Sequence, residues 1–152
     1  LNEKYDGMVP DILDNAFVIV DFENGVRAFL DLCMFAENSE FQEELCAVGT
    51  LGKVETEVPS NKSGIASSDI RIGLREITPA LKETIVVDPK ILEAGNHHGS
   101  TYYEHQSFIN AIRNNTKPEV SLNDGLIAVA IGEAAEISIK EGRVVQMSEF
   151  NL

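Results

Sequence analysis

The sequence predicts an α+β fold, an open and mostly antiparallel sheet with helices packed on one face, and three observations carry that prediction. Strand-like runs with period-two alternation fill residues 16–88, helical periodicity fills 100–142, and the strand-like runs are joined by tight turns. Strands first and helices last is the order of an antiparallel sheet covered on one side.

The most strongly marked element is a helix over residues 121–142. Ser121 is a good N-cap, and Asp124 three residues on makes a variant of the capping box at the positive end of the dipole. Gly142 suits the left-handed residue that ends a helix, and Lys140 places a cation in the last turn. Between them Leu126, Ile127, Ala130, Ile131, Ala134, Ala135 and Ile137 recur at spacings of three and four.

In chain order, residues 1–15 lack a period and are broken by Gly7 and Pro10, which predicts a linker or loop; residues 16–152 form the domain. Residues 16–36 read as a hairpin around Glu23-Asn24-Gly25, where Asn-Gly accepts the positive φ angles of a tight turn. One face of its second strand is wholly apolar. The other mixes Arg27 and Asp31 with Phe29 and Phe35, the pattern of a partner surface. Residues 43–58 give a second hairpin with Gly49 and Gly52 flanking the turn. A polar loop over 59–68 leads to strands over 69–76 and 84–88. Residues 93–99 read as a loop, and Ser100 or Thr101 can cap a helix that ends before Pro118. Residues 143–147 could add an edge strand.

The 152 residues suit one domain with a core of its own. A net charge of −13 repels phosphate backbones, which disfavours nucleic acid. No apolar run is long enough to span a membrane. Cys33 and Cys46 lie in apolar strand-like runs and read as small buried hydrophobes, a usage that suits a reducing cytoplasm. The chain opens on Leu1 rather than Met, which suggests a piece of a longer protein.

The only dense polar cluster is His97-His98-Gly99-Ser100-Thr101-Tyr102-Tyr103-Glu104-His105. As a metal site it lacks a known ligand spacing, and adjacent Glu104 and His105 point apart on a helix. As an acid/base site it has histidines in the right titration range but no paired nucleophile and no Gly-x-Ser-x-Gly element. As a helix start lined with hydrogen-bonding side chains it can hold a hydroxylated or anionic ligand, or simply cap the helix. No Gly-x-Gly-x-x-Gly follows a strand, and no Walker-type lysine loop is present.

The strings NAFVIVDFENGVR at 15–27 and VGTLGKV at 48–54 resemble the sheet domain of the Gfo/Idh/MocA oxidoreductases, the glucose–fructose oxidoreductase and inositol dehydrogenase family. So do Tyr103-Glu104-His105-Gln106-Ser107-Phe108, Ala111-Ile112, Lys117-Pro118, Asp124-Gly125-Leu126, Ala134-Ala135 and Gly142-Arg143, in that order. The resemblance covers nearly the whole chain and implies a C-terminal domain of the dihydrodipicolinate-reductase-like type. It also implies a preceding Rossmann domain holding NAD or NADP, hydride transfer to or from a sugar or cyclitol hydroxyl, and homo-oligomers paired through the open sheet face. The family's glycine-rich loop, Glu-Lys-Pro lysine and catalytic Asp/His helix are absent from residues 1–152, so no catalytic, cofactor-binding or metal-binding residue is carried over and the chain alone is expected to be inactive. The resemblance makes His97, His98 and Tyr103 candidate substrate contacts, and the mixed hairpin face makes Phe29 and Phe35 candidate interface residues. Two alternatives stand beside this reading. One is a stand-alone binding or assembly module derived from the family; the other is a member that hydrolyses its substrate through transient NAD oxidation.

Overall fold

A computed structural model describes residues 12–36, 38–60 and 63–152, so residues 1–11 of the expected linker lie outside the described residues. The architecture is α+β, with six strands in two antiparallel sheets and three α-helices among the described residues. Two compact units divide it, one made of residues 1–37 and 120–152, the other of residues 38–119.

In the first unit, β1 (Asn15–Asp21) and β2 (Arg27–Cys33) form the expected hairpin, in register from Asn15 opposite Cys33 to Asp21 opposite Arg27. The turn differs in detail. Only Gly25 takes a positive φ (84°), while the Asn24 side chain accepts from the Val26 amide at 3.0 Å. The Gly25 amide also donates to the Phe22 carbonyl at 2.9 Å, so a type I-like turn followed by a left-handed glycine makes the connection. Phe17 and Phe29 stack across the strands with ring centroids 5.8 Å apart, on the face that also carries Ile19.

The long helix is where the sequence puts it: α3 (Leu122–Glu141) has Ser121 as N-cap and Gly142 as a left-handed C-cap at φ 64°. The Ser121 amide donates to Asp124 Oδ2 at 2.8 Å, and the Asp124 amide donates to Ser121 Oγ at 3.2 Å, completing the capping box. The Ser121 hydroxyl and amide hold the Asp124 carboxyl below its ordinary value. The expected edge strand over 143–147 does not form. Arg143 instead folds onto Glu141 (2.6 Å) and Glu149 (2.8 Å), and the chain closes in a 3-10 turn, Met147–Glu149. The Gln146 amide donates into the same Glu149 carboxylate at 2.8 Å, and with Arg143 it pulls the Glu149 carboxyl down to about 2. That wrap takes up the Gln146 amide, a donor that a strand ladder would use.

In the second unit, β3 (Phe41–Val48), β4 (Gly52–Pro59), β5 (Ser67–Leu74) and β6 (Leu81–Val86) pair in sequence order. Alternation gives the sheet a charged face, where Arg71 pairs with Glu57 and Asp69, and Lys82 reaches Asp69 at 2.7 Å. The Lys82 ammonium, joined by Thr84 and Arg71, holds the Asp69 carboxyl below its usual range. The opposite positions carry Val54, Ile70, Ile72 and Leu81.

The structure departs from the expected elements at three further places. The last strand begins at Leu81 rather than Thr84 and ends before Asp88, which instead caps an unforeseen helix, α1 (Pro89–Ala94), by accepting from the Lys90 amide at 2.8 Å. Cys33 and Cys46 are free and exposed, as is almost every position of β2 and β3 on both faces. α2 (Ser100–Asn114) ends at Asn115, which is left-handed at φ 52°. Its N-cap is Gly99, neither Ser100 nor Thr101. No helix among the described residues is long and apolar enough to cross a membrane.

Candidate functional site

The polar cluster sits on the connection between α1 and α2, and its backbone is unusual. His97 (φ 52°), His98 (φ 54°) and Gly99 (φ 86°) occupy the left-handed region one after another. A side chain there costs about 1–2 kcal/mol per residue, so two successive histidines hold this shape only because surrounding contacts over-determine it. The contact at Gly99 is identifiable. A Cβ on Gly99 would lie 2.9 Å from Ile91 Cγ2 and 3.2 Å from Val87 Cγ1, so α1 and the buried Val87 close against the glycine. The first amides of α2 are already engaged, since Tyr102 and Tyr103 both donate to the Gly99 carbonyl at 3.1 and 3.2 Å.

The two histidines face different environments. His97 is mostly exposed and its Nδ1 lies 2.6 Å from Glu43 Oε1 and 2.9 Å from Gln42 Nε2, residues more than fifty positions away on β3. Adjacent strand residues normally point to opposite faces. Here Phe41 pairs with Pro59 and Glu43 with Val58, which leaves Gln42 as the extra residue of a β-bulge. The bulge re-aims both side chains at the same histidine. The bond from His97 is the chief reason the Glu43 carboxyl is held below its ordinary value.

His98 is half-buried. Its Nε2 is shielded from solvent without a hydrogen-bond partner, and burial pushes the ring's pKa down, favouring the neutral form. Tyr103 lies one turn into α2 and packs edge-on against Tyr102 with centroids 5.8 Å apart. It also opens a shallow depression of about 470 Å³ bordered by Gln106, Ser107, Asn110, Asn114 and Lys117.

The structure therefore keeps His97, His98 and Tyr103 on one connection and helix start, and it adds Gln42 and Glu43, which the sequence reading missed. A bulge in one strand leaves no periodic signal, and nothing in the sequence ties residue 43 to residue 97. His105 is separate in role: its Nδ1–H donates to the Thr101 carbonyl at 2.7 Å, a bond within its own helix. Among the described residues no group of three His, Cys, Asp or Glu side chains is placed to hold a metal ion.

A phosphate cradle needs glycines whose missing Cβ atoms leave room for a ligand. At Gly95 and Gly99 that room is filled by Tyr102, Ile91 and Val87, so these glycines serve the chain's own packing. The connection between α1 and α2 therefore offers no glycine cradle for a diphosphate. In the other unit, Phe29 is 62% exposed within its stack on Phe17, and Phe35, 41% exposed, lies in the turn that follows β2.

The family model described as the oxidoreductase family, C-terminal alpha/beta domain, matches residues 2–147. No curated protein matches the chain.

Proposed function

Because the chain belongs to the Gfo/Idh/MocA oxidoreductase family, as that family's C-terminal α/β domain, we propose that residues 16–152 form the substrate-side and subunit-pairing domain of a cytoplasmic enzyme. That enzyme transfers hydride between NAD or NADP and a sugar or cyclitol hydroxyl. A preceding Rossmann domain, reached through the linker over residues 1–15, holds the dinucleotide and supplies the catalytic lysine. The observation that carries the reading is the His97–His98 connection: two consecutive histidines with left-handed backbone ahead of the helix start that carries Tyr103, with His97 gripped by Glu43 across the unit. Hydroxyl groups of a sugar both donate and accept, and imidazole nitrogens with a phenol match that chemistry. The role of this domain is to bind and orient; no proton or hydride step is assigned to its residues.

The test is a ligand titration of the chain followed by NMR. myo-Inositol and glucose should shift the His97, His98 and Tyr103 resonances with dissociation constants on the order of 1 mM, about 4 kcal/mol of binding. NADH should produce no change in its fluorescence with the same chain. Saturable NADH binding, or sugar titrations that leave all three residues unmoved, would sink the reading.

Subunit pairing has its own support in the exposed Phe17–Phe29 stack, since contiguous apolar rings on a sheet face are poorly tolerated in water. Phe29→Asp should weaken self-association by about 2 kcal/mol, roughly 30-fold, read by sedimentation equilibrium. A variant that associates as tightly as the parent chain would remove this face from the interface.

A further inference from the structure

We propose that Glu43 is a positioning residue that fixes His97 in the Nδ1–H tautomer, so that His97 presents a bare Nε2 as its ligand-facing hydrogen-bond acceptor. The inference rests on the reading of His97 as a substrate contact, and it adds the state in which the ring meets a hydroxyl.

Nδ1 of His97 has two neighbours, Glu43 Oε1 at 2.6 Å and Gln42 Nε2 at 2.9 Å. A ring nitrogen carries either a proton or a lone pair, so it cannot donate to one and accept from the other. If Nδ1 were bare, an ionised carboxylate would face its lone pair at 2.6 Å, two acceptors in repulsive contact. If Nδ1 carries the proton, it donates to the carboxylate, a charge-assisted bond of the stronger kind. The two contacts compete, and the 2.6 Å bond to a charged acceptor outweighs the 2.9 Å bond from a neutral amide; the Gln42 Nε2 then gives up the ring and keeps Glu43 Oε1, 3.3 Å away, as its acceptor. The carboxylate is thus the common acceptor for His97 and Gln42, and the neutral ring is left with its proton on Nδ1. This is the arrangement by which a carboxylate orients a working imidazole elsewhere: one nitrogen is pinned and the other is set free.

The geometry that makes this possible is local and specific. The bulge at Gln42 turns two neighbouring side chains toward one ring, and left-handed backbone at His97 brings that ring to them. An ordinary strand would offer only one of the two. His98 has no such partner, and its shielded Nε2 is the contrasting case within the same connection.

Long-range 1H–15N correlation spectra of the 15N-labelled chain, taken above pH 8 where imidazoles are neutral, read the tautomer directly. The parent chain should show a pyrrole-type Nδ1 and a pyridine-type Nε2 for His97. Glu43→Met, which keeps the bulk and removes the acceptor, should move His97 to the Nε2–H form. Glu43→Gln, whose amide oxygen still accepts, should restore Nδ1–H. His105 supplies an internal control, since its Nδ1–H donates to the Thr101 carbonyl and should stay in that form throughout. An Nε2–H tautomer for His97 in the parent chain overturns the proposal even if neither variant folds. So does an Nδ1–H tautomer that survives Glu43→Met with His105 unchanged. Because these spectra need no sugar, a failed tautomer result leaves the ligand titration standing, and a failed titration leaves the tautomer result standing.

Discussion

Gly99→Ala should lower the free energy of unfolding by about 2–3 kcal/mol and loosen the contact between His97 and Glu43. Two costs add. Gly99 sits at φ 86°, and an alanine in the left-handed region loses about 1–2 kcal/mol relative to glycine. The new methyl would also stand 2.9 Å from Ile91 Cγ2 and 3.2 Å from Val87 Cγ1, and Val87 is one of the buried side chains of this unit. Those side chains must move away, an overpacking cost of about 1 kcal/mol or more. Thermal unfolding should register a fall of roughly 5–10 °C for a chain of this size. The site carries a second readout. Glu43 owes its lowered pKa chiefly to the His97 bond, so its carboxyl should titrate closer to the ordinary value in the variant. The sign follows by linkage. A carboxyl with a depressed folded pKa contributes stability that is full above its unfolded value and lost as pH falls through the folded one. The gap between parent and variant should therefore narrow in acid, below the ordinary glutamate range. A variant with unchanged melting temperature and an unchanged Glu43 titration would show that Gly99 does not hold this connection.

Much of the fold was legible because it is written in local rules. Ser121, Asp124 and Gly142 mark the ends of α3 by capping chemistry that operates within four residues, and the structure repeats those bonds one for one. The hairpin turns were legible for the same reason. What was missed depends on contacts the local rules do not encode. α1 is only one and a half turns long, too short for a period to emerge, although Asp88-Pro89 is a cap followed by a first-turn proline. The segment after Gly142 has strand-like residues, but Arg143 finds Glu141 and Glu149, and side-chain pairing overrides a weak β preference. Cys33 and Cys46 are exposed because almost every position of β2 and β3 is, and an apolar run in the sequence does not say whether anything covers it. The candidate site was half legible. Its histidines form a visible cluster, whereas Glu43 enters only through a bulge and a fold-level approach of segments more than fifty residues apart.

Gly52→Ala should be at least as damaging as the change at Gly99, for a reason that involves no unusual dihedral angle. Gly52 opens β4 opposite Leu74 of β5, and a Cβ built there would fall 2.2 Å from the Gly73 carbonyl oxygen. The Gly73 carbonyl carbon and Leu74 Cα would each lie at 3.1 Å. All three atoms belong to the main chain. No rotamer change relieves the overlap, so the two strands must separate by about an ångström or the turn must shift register. Either movement breaks the bonds that close this corner, the Gly49 amide to the Gly52 carbonyl at 2.8 Å and the Arg75 amide to the Leu51 carbonyl at 3.1 Å. A loss of about 3 kcal/mol or more follows, at the upper end for overpacking, and a fall in melting temperature of roughly 10 °C. Gly132→Ala is the matched contrast. It adds the same methyl at the middle of α3, where nothing lies within 4 Å, and alanine favours helix over glycine by about 1 kcal/mol. That variant should melt slightly higher than the parent. If Gly52→Ala melts with the parent as well, β4 and β5 do not approach at this corner as closely as the backbone contact requires, and the register from Gly52 to Thr56 would have to be redrawn. If only Gly52→Ala falls, the close backbone approach is what demands glycine at that position.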